Sequence, residues 1–159
     1  MSLKNKDKEI KTFLKSNNIL SEPEECYCYA EDASNLIKPK SSPDIVVFAE
    51  SVQDVQNIMK YAYKNEIPVI SRGAGTNMVG ACVCESGGIV LNFSKMNKII
   101  EIDSINMTAK VQPGVILGNL KSEVEKFGLF FPPDPSNYAV STIGGAIAQS
   151  SGGALGFKY

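Results

Sequence analysis

The residues best equipped for chemistry lie in the run Pro68-Val69-Ile70-Ser71-Arg72-Gly73-Ala74-Gly75-Thr76-Asn77-Met78-Val79-Gly80. Glycines at 73 and 75 free the backbone to turn tightly and to take positive φ. Consecutive amide N–H groups in such a turn can converge into an anion-binding nest, with no side chain in the way. Thr76 and Asn77 add short side chains able to hydrogen-bond oxygens. The ligand that suits this composition is a phosphate or pyrophosphate, and the bland alternative is an ordinary glycine turn.

Two familiar phosphate motifs do not fit. A dinucleotide fingerprint needs a third glycine at position 78, where Met78 stands, and a helix directly after it. A P-loop needs Lys and Ser/Thr after the last glycine, but Ala81 and Cys82 follow Gly80. Instead Val83-Cys84-Glu85-Ser86-Gly87-Gly88 leads to the apolar run Ile89-Val90-Leu91. The stretch therefore reads as a strand–loop–strand cradle.

Other chemistries are thinly represented. The sequence contains no histidine, which removes the commonest general base and metal ligand. Four cysteines form two Cys-x-Cys pairs, Cys26/Cys28 and Cys82/Cys84. Structural zinc usually takes a wider Cys-x₂₋₄-Cys spacing, and no metal site is expected. On a strand this spacing points both side chains to one face, which suits small buried hydrophobes. The 159 residues carry a net charge of −1, with 43% apolar and 21% charged residues. That balance gives no sign of nucleic acid or an anionic membrane surface as partner. No apolar run approaches the roughly 20 residues of a membrane span, and no secretory signal opens the chain, so a cytoplasmic protein is expected.

The elements that position the loop are readable in order. Residues 3–16 read as a polar helix with Leu3, Ile10, Phe13 and Leu14 on one side and lysines elsewhere. Residues 17–44 read as irregular. Ile45–Ala49 is a continuous apolar run suited to a buried strand. Ser51 and Asp54 form a capping-box pattern ahead of a helix carrying Val52, Val55, Ile58, Met59 and Ala62 at helical spacing. Pro68 introduces the strand Val69–Ser71. Strand, helix, strand predicts a parallel βαβ unit, with the glycine loop at the carboxyl end of its second strand, where ligands bind in parallel sheets. Ile89–Phe93 adds a third strand. The pattern then changes to an antiparallel hairpin, 99–103 and 107–111 around the turn 104–106. A helix follows with Leu117, Leu120, Val124 and Phe127 on one face and Gly128 as its stop.

A second glycine-bearing stretch lies beyond a stiff Phe131-Pro132-Pro133-Asp134-Pro135-Ser136 segment, held extended by its prolines. Ser141-Thr142-Ile143-Gly144-Gly145-Ala146-Ile147-Ala148-Gln149 reads as a capped helix with two glycines in its first turn. Glycine is poor for helix stability there. Two readings stay open: a ligand approaching the backbone at the helix N-terminus, or tight packing against another part of the chain. Ser150-Ser151-Gly152-Gly153 ends that helix.

Taken together, these pieces resemble the FAD-binding domain of the glycolate oxidase and D-lactate dehydrogenase family, within the vanillyl-alcohol-oxidase-type flavoproteins. The resemblance runs through Tyr29–Ser34, Pro43–Val47, Arg72–Asn77, Gln112–Val115, Pro133–Ser136, Ser141–Gly145, Gly152-Gly153 and Lys158-Tyr159. It implies an α+β chain of PCMH type, with a parallel β-α-β subdomain followed by part of an antiparallel α+β subdomain, and FAD held between the two. The expected organisation is a lead-in over 1–42, a first FAD-binding subdomain over 43–97 and the start of a second over 98–159. The resemblance implies that the backbone of Gly73, Ala74, Gly75, Thr76 and Asn77 holds the pyrophosphate, with Arg72 and Gly80 flanking the loop. It further implies that Pro133, Asp134, Ser141, Thr142, Gly144 and Gly145 line the flavin, with Ser151 and Gly152 close by.

Departures qualify the match. Relatives often have Ser or Gly where Asn77 stands, and Asn-Ala-Gly-Gly where this chain has Ser150-Ser151-Gly152-Gly153. Covalent flavin attachment through histidine is impossible here. Relatives run to several hundred residues, so the expectation is an N-terminal FAD-binding part of a 2-hydroxy-acid dehydrogenase. The small hydroxy acid would engage only with a further C-terminal part, and no catalytic residue is assigned within these 159. One alternative is an enzyme like UDP-N-acetylenolpyruvoylglucosamine reductase, against which Pro133-Asp134-Pro135-Ser136 argues. The other is a truncated FAD- or nucleotide-binding module without turnover. A reading frame continuing past Tyr159 into His-rich, metal-binding segments would favour the dehydrogenase, and an immediate stop the module.

Overall fold

A computed structural model describes residues 6–14, 18–34 and 37–159. The chain divides into two compact units, Met1–Lys95 and Met96–Tyr159. Leu3, Lys4 and Lys15, assigned above to the first helix, lie outside the described residues.

In the first unit, helix α1 spans Lys6–Phe13 and buries Ile10. Its Phe13 ring lies 5.9 Å from that of Tyr61. The segment expected to be irregular contains a two-residue strand β1, Ile19–Leu20, and a short helix α2, Pro23–Tyr27. Both escape a reading by pattern for physical reasons. Two residues carry no periodicity, and Glu22 at the N-cap of α2 makes no side-chain cap hydrogen bond. The helix is marked only by the proline in its first turn, a position where the missing N–H is not needed.

Strands β2 (Ile45–Phe48), β3 (Val69–Arg72) and β4 (Ile89–Asn92) form in the expected places. The sheet order is β1-β2-β4-β3, with β4 parallel to both neighbours and β1 antiparallel on the outer edge. The sheet is thus mixed rather than wholly parallel, and β4 inserts between the two strands of the βαβ unit. Val46, Val90 and Ile70 share one register and one face, where they pack with Cys26 of α2. Ile45, Val47, Ile89 and Leu91 point the other way and are equally buried. Burial on both faces explains why these strands read as unbroken apolar runs.

The β2–β3 crossover helix, α3, spans Val52–Lys64. Its capping box forms as expected. Ser51 Oγ accepts from Asp54 N at 3.1 Å, and Asp54 Oδ2 accepts from Ser51 N at 2.9 Å. Ile58 and Ala62 are buried, but Val52 and Met59, placed on the same face by periodicity, are 65% and 46% exposed.

The second unit opens on the hairpin β5 (Ile99–Asp103) and β6 (Thr108–Val111). The Asp103 carboxylate ties its turn, accepting from the amides of Ile105 and Asn106 at 2.9 and 3.0 Å. Helix α4, Leu117–Glu125, buries Leu117, Leu120 and Val124 against Ile143 and Ala146 of α5, Ile143–Ala148. Phe127, expected on the buried face, lies beyond the helix and is 52% exposed. Gly128 takes φ +71° and ends α4 just after it.

Ser51→Ala should cost about 0.5–2 kcal/mol, because it leaves an N-terminal amide of α3 without its acceptor. A urea unfolding midpoint unchanged from the parent would contradict this account of α3.

Candidate functional site

The loop after β3 is the first cluster. Gly75 takes φ +72° and Gly80 φ +77°, whereas Gly73, also expected at positive φ, is not among the left-handed glycines. Space decides the matter at 75 as much as dihedral angle. A Cβ there would stand 2.5 Å from Cζ of Arg72, closer than packed carbons come. At Gly80 a Cβ would stand 2.6 Å from Cδ1 of Ile37.

Arg72 is 9% exposed. Its Nη1 donates to the carbonyl of Glu31 at 2.7 Å, and its guanidinium lies 5.6 Å from the centre of the Tyr29 ring. No carboxylate pairs with it among the described residues. Ala33 N donates to Gly75 O at 3.2 Å, and Cys84 N to Ala30 O at 3.1 Å. The segment 29–34 therefore braces the loop from far upstream in the chain.

Asn77 works inward. Its Oδ1 accepts from Val79 N at 3.2 Å and Ala81 N at 3.0 Å, which folds residues 77–81. Its Nδ2 is buried with no acceptor within hydrogen-bond distance, yet lies near enough to Asp32 to help hold that carboxyl below its usual value. Burial pushes the Asp32 carboxyl up, but hydrogen bonds from Ser34 and Cys82, together with the nearby Asn77 amide, outweigh it and leave the pKa lowered. Burial pushes the Cys82 thiol up, with Arg72 opposing and Asp32 adding to the effect. Neither Cys-x-Cys pair lies on a strand. Cys26 sits in α2, with Cys82 and Cys84 in irregular chain.

What the loop leaves open is its amides. The N–H groups of Gly73, Ala74, Gly75 and Asn77 donate to nothing among the described residues. They lie just past the carboxyl end of β3. This is an arrangement that can hold phosphate oxygens.

The second cluster is organised differently. Thr142 caps α5, its Oγ1 accepting from Gly145 N at 3.3 Å. Gly144 N donates to Pro113 O and Ile143 N to Val115 O, both at 2.8 Å. The first-turn donors of α5 are thus answered by the chain itself, and the anion reading of this helix start finds no open amide at 143–145. A Cβ at Gly144 would stand 2.8 Å from Cβ of Pro113. Of the two readings left open by sequence, tight packing accounts for this glycine. Ser141 and Thr142 are buried beside it.

Pro133 and Asp134 meet Gly152 through Asp134 N, which donates to Gly152 O at 2.9 Å. Ser151 N donates back to Ala146 O of α5 at 2.9 Å, so this unit draws 133–134, 141–145 and 151–152 onto one framework. A residue that sequence reasoning missed is Lys121. It pairs with the Asp134 carboxylate and lies 5.0 Å from the centre of the Tyr138 ring. Its only sequence signal is a position four residues after Leu117, one turn along the buried stripe. Tyr29, Glu31 and Asp32 lie in a stretch that carries the resemblance, but nothing in the sequence assigns their roles in holding Arg72 and Cys82.

Comparison with known proteins gives these clusters a context. The FAD binding domain family model matches residues 43–159. Glycolate oxidase subunit GlcD of Bacillus subtilis (strain 168) is 45% identical over 120 residues, 76% of this chain and 26% of that protein. D-lactate dehydrogenase of Anaerostipes hadrus is 40% identical over 120 residues, 76% of this chain and 25% of that protein. Among solved structures, an alkyldihydroxyacetonephosphate synthase aligns with a TM-score of 0.88 at 25% identity, covering 100% of this chain and 31% of that one. The chain spans about a quarter of the length of the curated relatives it matches.

Two predictions test this geometry. Gly144→Ala gains up to about 1 kcal/mol in helix propensity but forces a clash worth about 1–3 kcal/mol, so a net loss of stability is expected. A stabilised variant in thermal unfolding would mean that Pro113 does not constrain this position. Asp32 has its folded pKa below the ordinary 3.8, so its contribution is present above that value and is lost as pH falls through the folded pKa. Asp32→Asn should therefore cost about 1 kcal/mol at neutral pH, and the gap should close only below pH 3.8. A gap independent of pH would show that the charge plays no part.

Proposed function

The chain belongs to the FAD binding domain family, and from that premise we propose that it is the FAD-binding portion of a flavin-dependent oxidoreductase acting on a 2-hydroxy acid of the glycolate or D-lactate type. The cofactor is FAD, and the fold is the PCMH-type α+β fold of flavoproteins. The observation that carries the proposal is the row of open amides at Gly73, Ala74, Gly75 and Asn77, set at a strand end on a turn whose Gly75 has no room for a side chain.

These residues fit a diphosphate. A dianionic group needs several donors at once, and it gains from backbone dipoles fixed before it arrives. Asn77 and Gly80 shape the far side of the loop, and Thr76 places a hydroxyl within it. In the second unit Pro133, Asp134, Ser141, Thr142, Gly144, Gly145, Ser151 and Gly152 take the flavin end. There Gly144 acts by closeness to Pro113 and Asp134 by its pairing with Lys121, so both serve as framework. FAD, when bound, supplies the two-electron acceptor for oxidation of the hydroxy acid.

The hydroxy-acid reading draws on the relatives named above, one from a glycolate oxidase and one a D-lactate dehydrogenase. A base within hydrogen-bond reach of a substrate hydroxyl is required for such chemistry, and cationic or metal groups for the carboxylate. The residues described here hold phosphate and flavin and offer no histidine. The 159 residues by themselves are accordingly proposed to bind FAD without oxidising substrate. No helix among the described residues is long and apolar enough to cross a membrane, and a cytoplasmic site of action is proposed.

Mixing the purified chain with FAD should quench flavin fluorescence, and riboflavin, which lacks the diphosphate, should bind far more weakly. Gly75→Val should abolish FAD binding, because a β-branched residue excludes the needed φ and its Cβ would collide with the Arg72 guanidinium, displacing it and the loop. Thr76→Val should cost about one hydrogen bond, roughly 0.5–1.5 kcal/mol. Parental affinity in the valine variant at 75 would sink the loop assignment. With D-lactate, glycolate or 2-hydroxyglutarate and an artificial dye, the chain should not exceed free FAD. The complete reading frame that carries this sequence should reduce the dye with one of these acids, and failure with all three would sink the hydroxy-acid reading.

A further inference from the structure

We propose that Arg72 is a positioning residue that supplies a fixed counter-charge to the diphosphate, delivered from behind the loop through the side-chain-free face of Gly75. This rests on the FAD reading of the loop and goes beyond it, since the open amides alone would not require an arginine.

The argument begins with cost. Burying a guanidinium is expensive unless it is paired and hydrogen-bonded. Arg72 is more than nine-tenths buried, and its partners are a carbonyl and a ring rather than a carboxylate. The carboxylate chemistry nearby is turned elsewhere: Asp32 accepts from Ser34 N at 2.9 Å and Cys82 N at 3.4 Å. The ion pairs among the described residues are all made by lysines, Lys95 with Glu50, Lys121 with Asp134 and Lys126 with Glu123. Among those residues, Arg72 alone is a buried cation with no carboxylate within ion-pairing distance.

Position is the second part. The guanidinium fills the volume a Cβ of residue 75 would occupy, so it lies against the middle of the row of open amides. Glu31 O and Tyr29 hold it, and Ala33 N holds Gly75 O. A charge so held costs no reorganisation when an anion arrives, and because the guanidinium itself is buried it is screened less than an exposed one. An arginine is suited to this because its planar group is weakly hydrated, keeps its charge, and can stack on Tyr29 while donating to Glu31.

The test compares Arg72→Lys, which keeps the charge, with Arg72→Gln, which keeps a donor for Glu31 O but removes it. Far-UV circular dichroism first establishes that both fold. Binding of FAD, ADP and riboflavin is then measured for each variant. The expected result is that Arg72→Gln weakens FAD and ADP at least tenfold and leaves riboflavin unchanged, while Arg72→Lys stays within about threefold of the parent. Equal losses in the two variants would reduce Arg72 to a strut and overturn the counter-charge. An equal loss for riboflavin would do the same. Should Arg72→Gln unfold, Arg72→Met decides in its place: it should weaken FAD and ADP at least tenfold and leave riboflavin unchanged, and parental ADP affinity in it would overturn the proposal. An unmutated chain that binds FAD no better than riboflavin, with no affinity for ADP, would overturn the FAD reading and the counter-charge together.

Discussion

The close approach of the Arg72 guanidinium to Gly75 is the constraint on which the rest of the first unit depends. It demands a residue without a side chain at 75, held at φ +72°. It also demands that the guanidinium itself be held, and Glu31 and Tyr29 do this from a segment distant in sequence. That segment is kept in place by Ala33 N on Gly75 O and Cys84 N on Ala30 O. Beneath it, Cys26 and Tyr29 pack on the sheet face that carries Val46 and Val90. A core contact, a brace and a loop shape are thus links in one chain of cause. Its product is a set of amides that face no partner of their own.

The two glycine pairs of this chain show how similar sequences serve opposite ends. Gly73 and Gly75 lie in a turn whose amides stay open. Gly144 and Gly145 lie at the start of a six-residue helix whose donors are all taken, by Pro113 O and Val115 O through Gly144 and Ile143, and by Thr142 Oγ1 through Gly145. The difference is in the acceptors, not the glycines. Residues 113–117 run antiparallel to 141–144, with a bridge between Ile116 and Thr142, and their carbonyls reach the helix before any ligand could. Glycine at 144 lets these two backbones meet.

What could be read from the sequence was what is decided locally. The capping box at Ser51 and Asp54, the apolar strands 45–48 and 89–92, the hairpin and the Gly128 stop each follow from a few neighbouring residues. What could not be read was decided at a distance. The insertion of β4 between β2 and β3 depends on register between segments well separated in sequence, and β1 is too short to carry a pattern. Phe127 falls one turn past Val124 on the helical wheel, but α4 has already ended at Glu125, so periodicity overreached. At the site, the loop was legible because glycine spacing is a local signal. Arg72 as a buried cation was not, since only the fold brings Glu31 and Tyr29 to it. The anion reading of α5 fell for the same reason, because the carbonyl of Pro113 that answers Gly144 lies far upstream in the chain.

Charge gives the last link between fold and ligand. A chain with net charge −1 has no general attraction for a diphosphate, so any selectivity must be local. Lys121 shows the alternative use of a part-buried cation. It is 17% exposed in its side chain and closed off by Asp134, and it fixes two segments of the second unit to each other. A paired charge of that kind specifies structure and offers an anion little. Arg72 carries the same sign with no acid partner, and Arg72 is the one arginine of the sequence. Arginine keeps that charge while lying against Tyr29 and donating to Glu31. Residue type, burial and the glycine beside it therefore all support the proposed counter-charge, a positive charge fixed in place before the ligand arrives.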